Sequence, residues 1–271
     1  MLLYVVFVFV FIVLIMSSKR LLLGNNIHET NIELVNHHNG TNIQLDRIYY
    51  INLDRRPDRN QHFLRQCEKA HVNMDLVKRF QAVDGTTLQT TPEIENMFQN
   101  SDFKNKKNCK KLMGNQLSHY RILQDMIQNN YEYILVLQDD VVFKQNFTHY
   151  LQKVLNSLPP DAEIVNIGLH NLNIYSYFRP LDLTEGKENL SHCKTHISST
   201  ICELHNHVNP CSLAYIVSRR GAINLVEYFQ KYGFRRATDH NYNDYLRKKN
   251  IHYGSRIVLC TGALMGSDIF D

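Results

Sequence analysis

The sequence predicts an α/β domain with a mainly parallel central sheet, and three observations lead there. From residue 47 onward, apolar runs of strand length alternate with stretches of helical periodicity. One of these runs, YEYILVL at 131–137, is apolar at every position over 134–137, the pattern of a strand covered on both faces. No internal repeat interrupts the alternation, which leaves a layered α/β sandwich.

The chain has 271 residues and opens with a wholly apolar run at 1–16, followed by Ser17, Ser18, Lys19 and Arg20. That run sits near the lower limit of roughly 17 residues for a bilayer span. Bulky Ile15 and Met16 ahead of the two serines make a poor cleavage site. Residues 1–23 are therefore read as a membrane anchor, with a signal peptide as the other reading. Lys19 and Arg20 point to a cytosol-facing domain. Three N-x-S/T sequons, at Asn39, Asn146 and Asn189, point instead to a secretory lumen. The expectation is a single-pass protein with its domain in the lumen; secreted and cytosol-facing forms stay open.

Residues 24–46 are polar, rich in Asn and His and aperiodic, and read as a stem before a domain at 47–271. Without the first run the apolar share is about 40%, ordinary for a soluble domain. Twenty-eight aromatic residues and a charged share of 21% exclude a disordered chain. A net charge of +4 lacks the clustering of a nucleic-acid footprint, so no nucleic acid is expected as a partner.

Within the domain, residues 47–53 form the first predicted strand. Pro57 opens a helix to about Ala70 with Phe63, Leu64 and Cys67 on one face. Residues 76–83 form a second strand, stopped by Asp84-Gly85. A loop-rich stretch to Lys111 carries Lys104, Lys106, Lys107, Lys110 and Lys111, either a solvated loop or an attractor of anions. Residues 113–129 are the clearest helix, with Met113, Leu117, Tyr120, Leu123 and Ile127 at helical spacing. After the strand at 131–137 come a helix (about 147–157), a strand (163–168) and a polar loop (170–210). A strand (212–218), a helix ended by Gly233 and a last helix–strand pair complete the domain.

The strand at 131–137 runs straight into Gln138-Asp139-Asp140. Open α/β sheets bind ligands beyond the carboxyl ends of their strands. Two adjacent carboxylates do not enter an apolar core, and hard cations bridging to phosphates take carboxylate oxygens. A solvent-exposed turn is the alternative, against which Val141, Val142 and Phe143 keep the pair within the fold. Residues 192–211 hold three cysteines and four histidines. A disulfide among Cys193, Cys202 and Cys211 is expected. Zinc is the alternative, because Cys202-x-x-His205 and His207-x-x-x-Cys211 approach ligand spacing.

Four blocks, in order, resemble glycosyltransferase family 25: IYYINLDRRPDR (48–59), RFQAVDG (79–85), GNQLSHYRILQDMIQNNYEYILVLQDDVVF (114–143) and AYIVSRRGAINLVEYF (214–229), with TDHNYNDYL (238–246) behind the last. The resemblance implies a GT-A-type fold that moves a hexose, galactose in preference to glucose, from a UDP-sugar with inversion. The acceptor is a glycan, a lipid-linked glycan or a glycoprotein. By the same resemblance Asn52, Leu53, Arg55, Ala82, Val83 and Asp84 lie near the nucleotide. Ser118 and His119, taken as standing at a helix start, contact phosphate or sugar. Asp139 and Asp140 hold Mn²⁺ on the diphosphate, and Asp239 is the general base or a sugar contact. Thr238 or Asp239 as a helix cap is the bland alternative; Asp244 and the terminal Ser267-Asp268-Ile269 are further candidates. Two departures matter: Gln138 replaces an acid and Asn115 a cysteine. Gln138 keeps a second function open, a catalytically inactive member acting as a carbohydrate-binding or adhesion module.

Overall fold

Strand β1 (Arg47–Asn52) is buried from Ile48 onward. It pairs in parallel with β2 (Val77–Gln81) on one side and β3 (Tyr133–Gln138) on the other. Ile134, Leu135, Val136 and Leu137 of β3 are fully enclosed, which explains their unbroken apolar run. The computed structural model describes residues 42–169, 192–208 and 211–269. The Met1 to Arg20 segment and its neighbours, and the sequons at Asn39 and Asn189, lie outside the described residues. Among those described, no helix is long and apolar enough to cross a membrane.

The remaining strands are β4 (Val141–Phe143), β5 (Ile164–Asn166), β6 (Gly168–Leu169), β7 (Cys193–His196), β8 (Ile201–Leu204), β9 (Ala214–Ser218), β10 (Tyr253–Ser255) and β11 (Cys260–Gly262). The main sheet has eight strands in the order β2-β1-β3-β9-β5-β10-β8-β7, and β4-β11-β6 form a small second sheet. In the main sheet β9 is antiparallel to both its neighbours, as is β8. The other six strands run in one direction, so the sheet is of the α/β kind expected, with two reversed strands inserted. The polar stretch predicted as loop contains one of them: β7 and β8 form a hairpin.

The helices are α1 (Pro57–Lys69), α2 (Pro92–Phe98), α3 (Cys109–Gln128), α4 (Phe147–Leu155), α5 (Arg219–Tyr232) and α6 (Thr238–Lys248). Helix α1 follows its prediction, except that Leu64 is 39% exposed while Phe63 and Cys67 are buried. Gly233 ends α5 at φ 67°, a left-handed conformation that glycine adopts without strain. Helix α2 falls in the stretch read as loop, where Thr91 caps it by accepting from the Ile94 amide. Helix α3 begins at Cys109, four residues before the predicted start, so it takes in Lys110 and Lys111.

Candidate active site

Three parallel strand ends build one polar edge. Register pairs Ile51 with Gln138 and Asn52 with Gln81, so the next residues along each strand meet beyond the sheet. Asn52 Nδ2 donates to Asp139 Oδ2 at 2.6 Å and to the Arg56 carbonyl at 3.1 Å. Its Oδ1 accepts from Arg79 Nε at 2.9 Å. Asn52 is therefore a buried brace between strand ends, and a side chain already carrying three bonds positions its neighbours.

Asp139 and Asp140 are each 5% exposed. Arg59 enters from the first turn of α1, with Nη1 3.1 Å from Asp139 Oδ1 and 3.8 Å from Asp140 Oδ2. Burial pushes the Asp139 carboxyl above the usual carboxylate range, and Asp140 adds to the push against the opposing effects of Asn52 and Arg59. Asp140 Oδ1 is buried with no hydrogen-bond partner. An enclosed, unsatisfied carboxylate oxygen beside a second carboxylate fits a hard divalent cation such as Mn²⁺.

The C-terminal segment closes this edge. The Ala263 amide donates to the Asp140 carbonyl at 2.7 Å. Arg56 Nη2 donates to the Met265 carbonyl at 3.0 Å, and Arg59 Nη2 to the Gly266 carbonyl. Asp268 takes Arg55 on Oδ1, and on Oδ2 it takes Arg56 at 2.5 Å, with Arg59 3.7 Å away. Arg55 also holds Asp84 at 2.8 Å. Burial works against the Asp84 charge, but the Thr86 hydroxyl and amide together with Arg55 hold its carboxyl below the ordinary range.

The donor-side residues divide. Leu53, half-buried, accepts the Arg56 amide at 2.9 Å and so shapes the turn into α1. The Ala82 amide donates to the Asn52 carbonyl at 3.0 Å, continuing β2 past its end. Val83 donates its amide to Ser118 Oγ at 2.9 Å. A side chain at Gly114 would lie 2.4 Å from the Val83 carbonyl, and one at Gly85 2.2 Å from the Lys110 carbonyl. Both glycines allow the 82–85 turn to lie directly on the backbone of α3.

Ser118 and His119 stand in the interior of α3, not at its start, because the helix begins nine residues before Ser118. Both are fully buried. The Ser118 hydroxyl also donates to the Gly114 carbonyl at 2.7 Å, so it ties α3 to the 82–85 turn. His119 Nδ1 lies 2.8 Å from the Tyr215 hydroxyl, with the Tyr215 and Tyr242 rings packed beside it. Burial lowers its pKa to about 3, and it is neutral in the core.

Gln138 turns its amide toward Ser212, donating to that residue's carbonyl at 3.3 Å and hydroxyl at 3.2 Å. Asn115 accepts from the Thr238 hydroxyl at 2.7 Å and thereby fixes the start of α6 beside Gly114. The N-cap position of α6 is Ala237, so Thr238 and Asp239 occupy its first two helical positions; Asp239 is half-buried there. The Cys/His segment forms one disulfide, Cys193–Cys202. His192, Cys193 and Cys202 are the one metal-like grouping of this kind among the described residues, and both its thiols are in that bond. His205 and His207 stack on each other at 5.1 Å.

Arg56 and Arg59 escaped the sequence reading, and Asp268 entered it only as a subsidiary candidate. A signal existed: RRPDR places arginines at 55, 56 and 59 immediately after a strand end. Fold and site together define an α/β protein with an enclosed site of paired carboxylates and arginines at parallel strand ends. The chain belongs to glycosyltransferase family 25, described as an LPS biosynthesis protein family, whose profile matches residues 45–242. Procollagen galactosyltransferase 2 of Homo sapiens is 29% identical over 48% of this chain and 21% of its own length. A glycosyltransferase 25 family member of Drosophila melanogaster is 25% identical over 68% of this chain and 28% of its own. The human inactive glycosyltransferase 25 family member 3 is 26% identical over 48% and 23%. The chain thus spans less than a third of the length of these relatives.

Proposed function

We propose that the chain is a cation-assisted, inverting hexosyltransferase that uses a UDP-sugar, with galactose as the preferred hexose. The observation that carries this reading is the buried Asp139–Asp140 pair at the end of β3, facing Arg59 and leaving one carboxylate oxygen unsatisfied. The blocks that resemble the family supply the GT-A-type assignment and the donor class, and a relative named for galactosyl transfer supports the sugar.

In this reading Arg55 and Arg56, each holding Asp268 through one terminal nitrogen, present their remaining guanidinium charge to the donor diphosphate. Asn52 holds Asp139 in place, and the 82–84 turn lies beside the nucleoside. Asp139 and Asp140 hold the divalent cation; when bound, it supplies neutralisation of charge developing on the departing UDP. Asp239, in the first turn of α6, takes the proton of the acceptor hydroxyl, as the resemblance implies. The acceptor is a glycan, a lipid-linked glycan or a glycoprotein, and the expected setting is the membrane of the secretory pathway, with the domain lumenal.

A second reading, a catalytically inactive carbohydrate-binding or adhesion module, draws on the resemblance to a relative named as inactive. Incubation with UDP-galactose and UDP-glucose separates the two. Mn²⁺-dependent UDP release that Asp140→Ala abolishes is the expected result. Absence of UDP binding removes the transferase reading.

A further inference from the structure

Among the described residues, three carboxylates converge on a single atom, Arg59 Nη1. It lies 3.1 Å from Asp139 Oδ1, 3.8 Å from Asp140 Oδ2 and 3.7 Å from Asp268 Oδ2. The Arg59 side chain is 10% exposed, and its Nε is buried without a hydrogen-bond partner. The guanidinium is therefore held by its charge and its two terminal nitrogens, and not by a fully matched hydrogen-bonding fork. Asp140 Oδ1, enclosed and unpaired, is the second mismatch, one oxygen more than Arg59 satisfies. Asp268 is already paired with Arg55 and Arg56, but Asp139 and Asp140 share Arg59 alone, and two enclosed carboxylates with an oxygen to spare suit a compact divalent ion better than one guanidinium.

We infer that Arg59 is the resident counter-ion of a three-carboxylate cation site formed by Asp139, Asp140 and Asp268, and that a divalent cation binds by displacing its guanidinium. Arg59 substitutes for the ion and keeps the acids from repelling one another in its absence. Asp268 brings the C-terminal segment into the cation's ligand set, and Arg55 and Arg56 orient its carboxylate. The use of this site in transfer rests on the function proposed above. Cation binding by these residues does not require it.

The test is Mn²⁺ titration of the full chain without nucleotide, read by the electron paramagnetic resonance of free Mn²⁺. Arg59→Met removes the competitor and is expected to bind Mn²⁺ at least tenfold tighter. Asp268→Asn is expected to bind at least tenfold weaker. Asp161→Asn, at a carboxylate that accepts from Tyr253 at 3.1 Å, is expected to bind as the parent does. Equal or weaker binding by Arg59→Met, or unchanged binding by Asp268→Asn, overturns the inference. If Arg59→Met does not fold, the half-buried Asp268 variant decides alone, its fold checked by circular dichroism. UDP affinity is measured separately. Mn²⁺ binding with this pattern but no UDP binding supports the cation site and removes the transferase reading. UDP binding with Mn²⁺ affinity indifferent to Asp268 does the reverse.

Discussion

Two buried polar pairs stand about equally deep in this domain, Asp139–Asp140 beyond β3 and Ser118–His119 within α3. Both invite a functional reading from sequence, and their surroundings differ. Ser118 uses its hydroxyl on two backbone groups, and His119 is neutral among tyrosine rings. The two aspartates share Arg59, Asp139 also accepts from Asn52, and one Asp140 oxygen stays unmatched. Burial alone therefore does not mark a site. His119 Nε2 is likewise buried without a hydrogen-bond partner, so an unsatisfied atom does not mark a site either; what marks it is opposed charge, two carboxylates enclosed with Arg59.

That contrast is broken or sharpened by substitution on each side. Asp140→Ala is expected to lower UDP release by at least ~100-fold, the scale of removing an electrostatic group from the transition state. Its melting temperature should stay close to the parent's, since it removes a group in surplus. A large loss of stability with little loss of rate would place Asp140 on the structural side.

Ser118→Ala is expected to show the opposite pattern. It strands the Val83 amide, at a cost of about 1–3 kcal/mol in denaturant unfolding, with turnover per folded molecule nearly retained. Loss of activity without loss of stability would return Ser118 to the donor site.

Acid sensitivity follows from the neutral histidines. Burial lowers the pKa of His119 to about 3, and burial with Arg247 lowers that of His252 to about 4. Unfolded histidine takes its proton near pH 6.5, so below that value the unfolded state binds more protons than the folded one. The stability is present above pH 6.5 and drains as pH falls toward the folded values, by roughly 1 kcal/mol per pH unit for each residue. Urea unfolding at pH 7, 6 and 5 measures it, and replacing His119 by Leu should flatten the slope. An unchanged slope in that variant rejects the assignment.

The smallest effect is expected from Gln138→Glu. With its amide bonded to Ser212, the new carboxylate faces a carbonyl oxygen, costing about 1 kcal/mol, and Mn²⁺ affinity should be unchanged. A tighter Mn²⁺ complex would bring position 138 into the cation's ligand set.

How far the sequence was legible follows the range of the forces involved. β1 and β3 announce themselves by apolar runs, and the pair at 139–140 by its place at a strand end. Helix α3 was entered late because Cys109, Lys110 and Lys111 carry no start signal: no side chain caps it and no acid lies in its first turn. That error made Ser118 look like a helix N-terminus. The β7–β8 hairpin is mostly exposed on β7, so it lacks the alternation that reveals strands, and the disulfide together with pairing to β10 supplies what pattern does not. Thr91-Pro92-Glu93, by contrast, carries a readable start for α2, a capping threonine followed by proline. Asp268 illegibly meets Arg55 across 213 positions, and no local pattern reports a contact of that span.

That span also has a kinetic meaning. The bond of Asn52 to Asp139 joins residues 87 positions apart, whereas Arg56 meets Asp268 across 212. Contacts of such long sequence separation form after the chain has met its largest loop-closure costs. Docking of residues 263–268 on Arg55, Arg56 and Arg59 is thus expected to lag behind the pairing of β1 with β3, because it closes the longer loop.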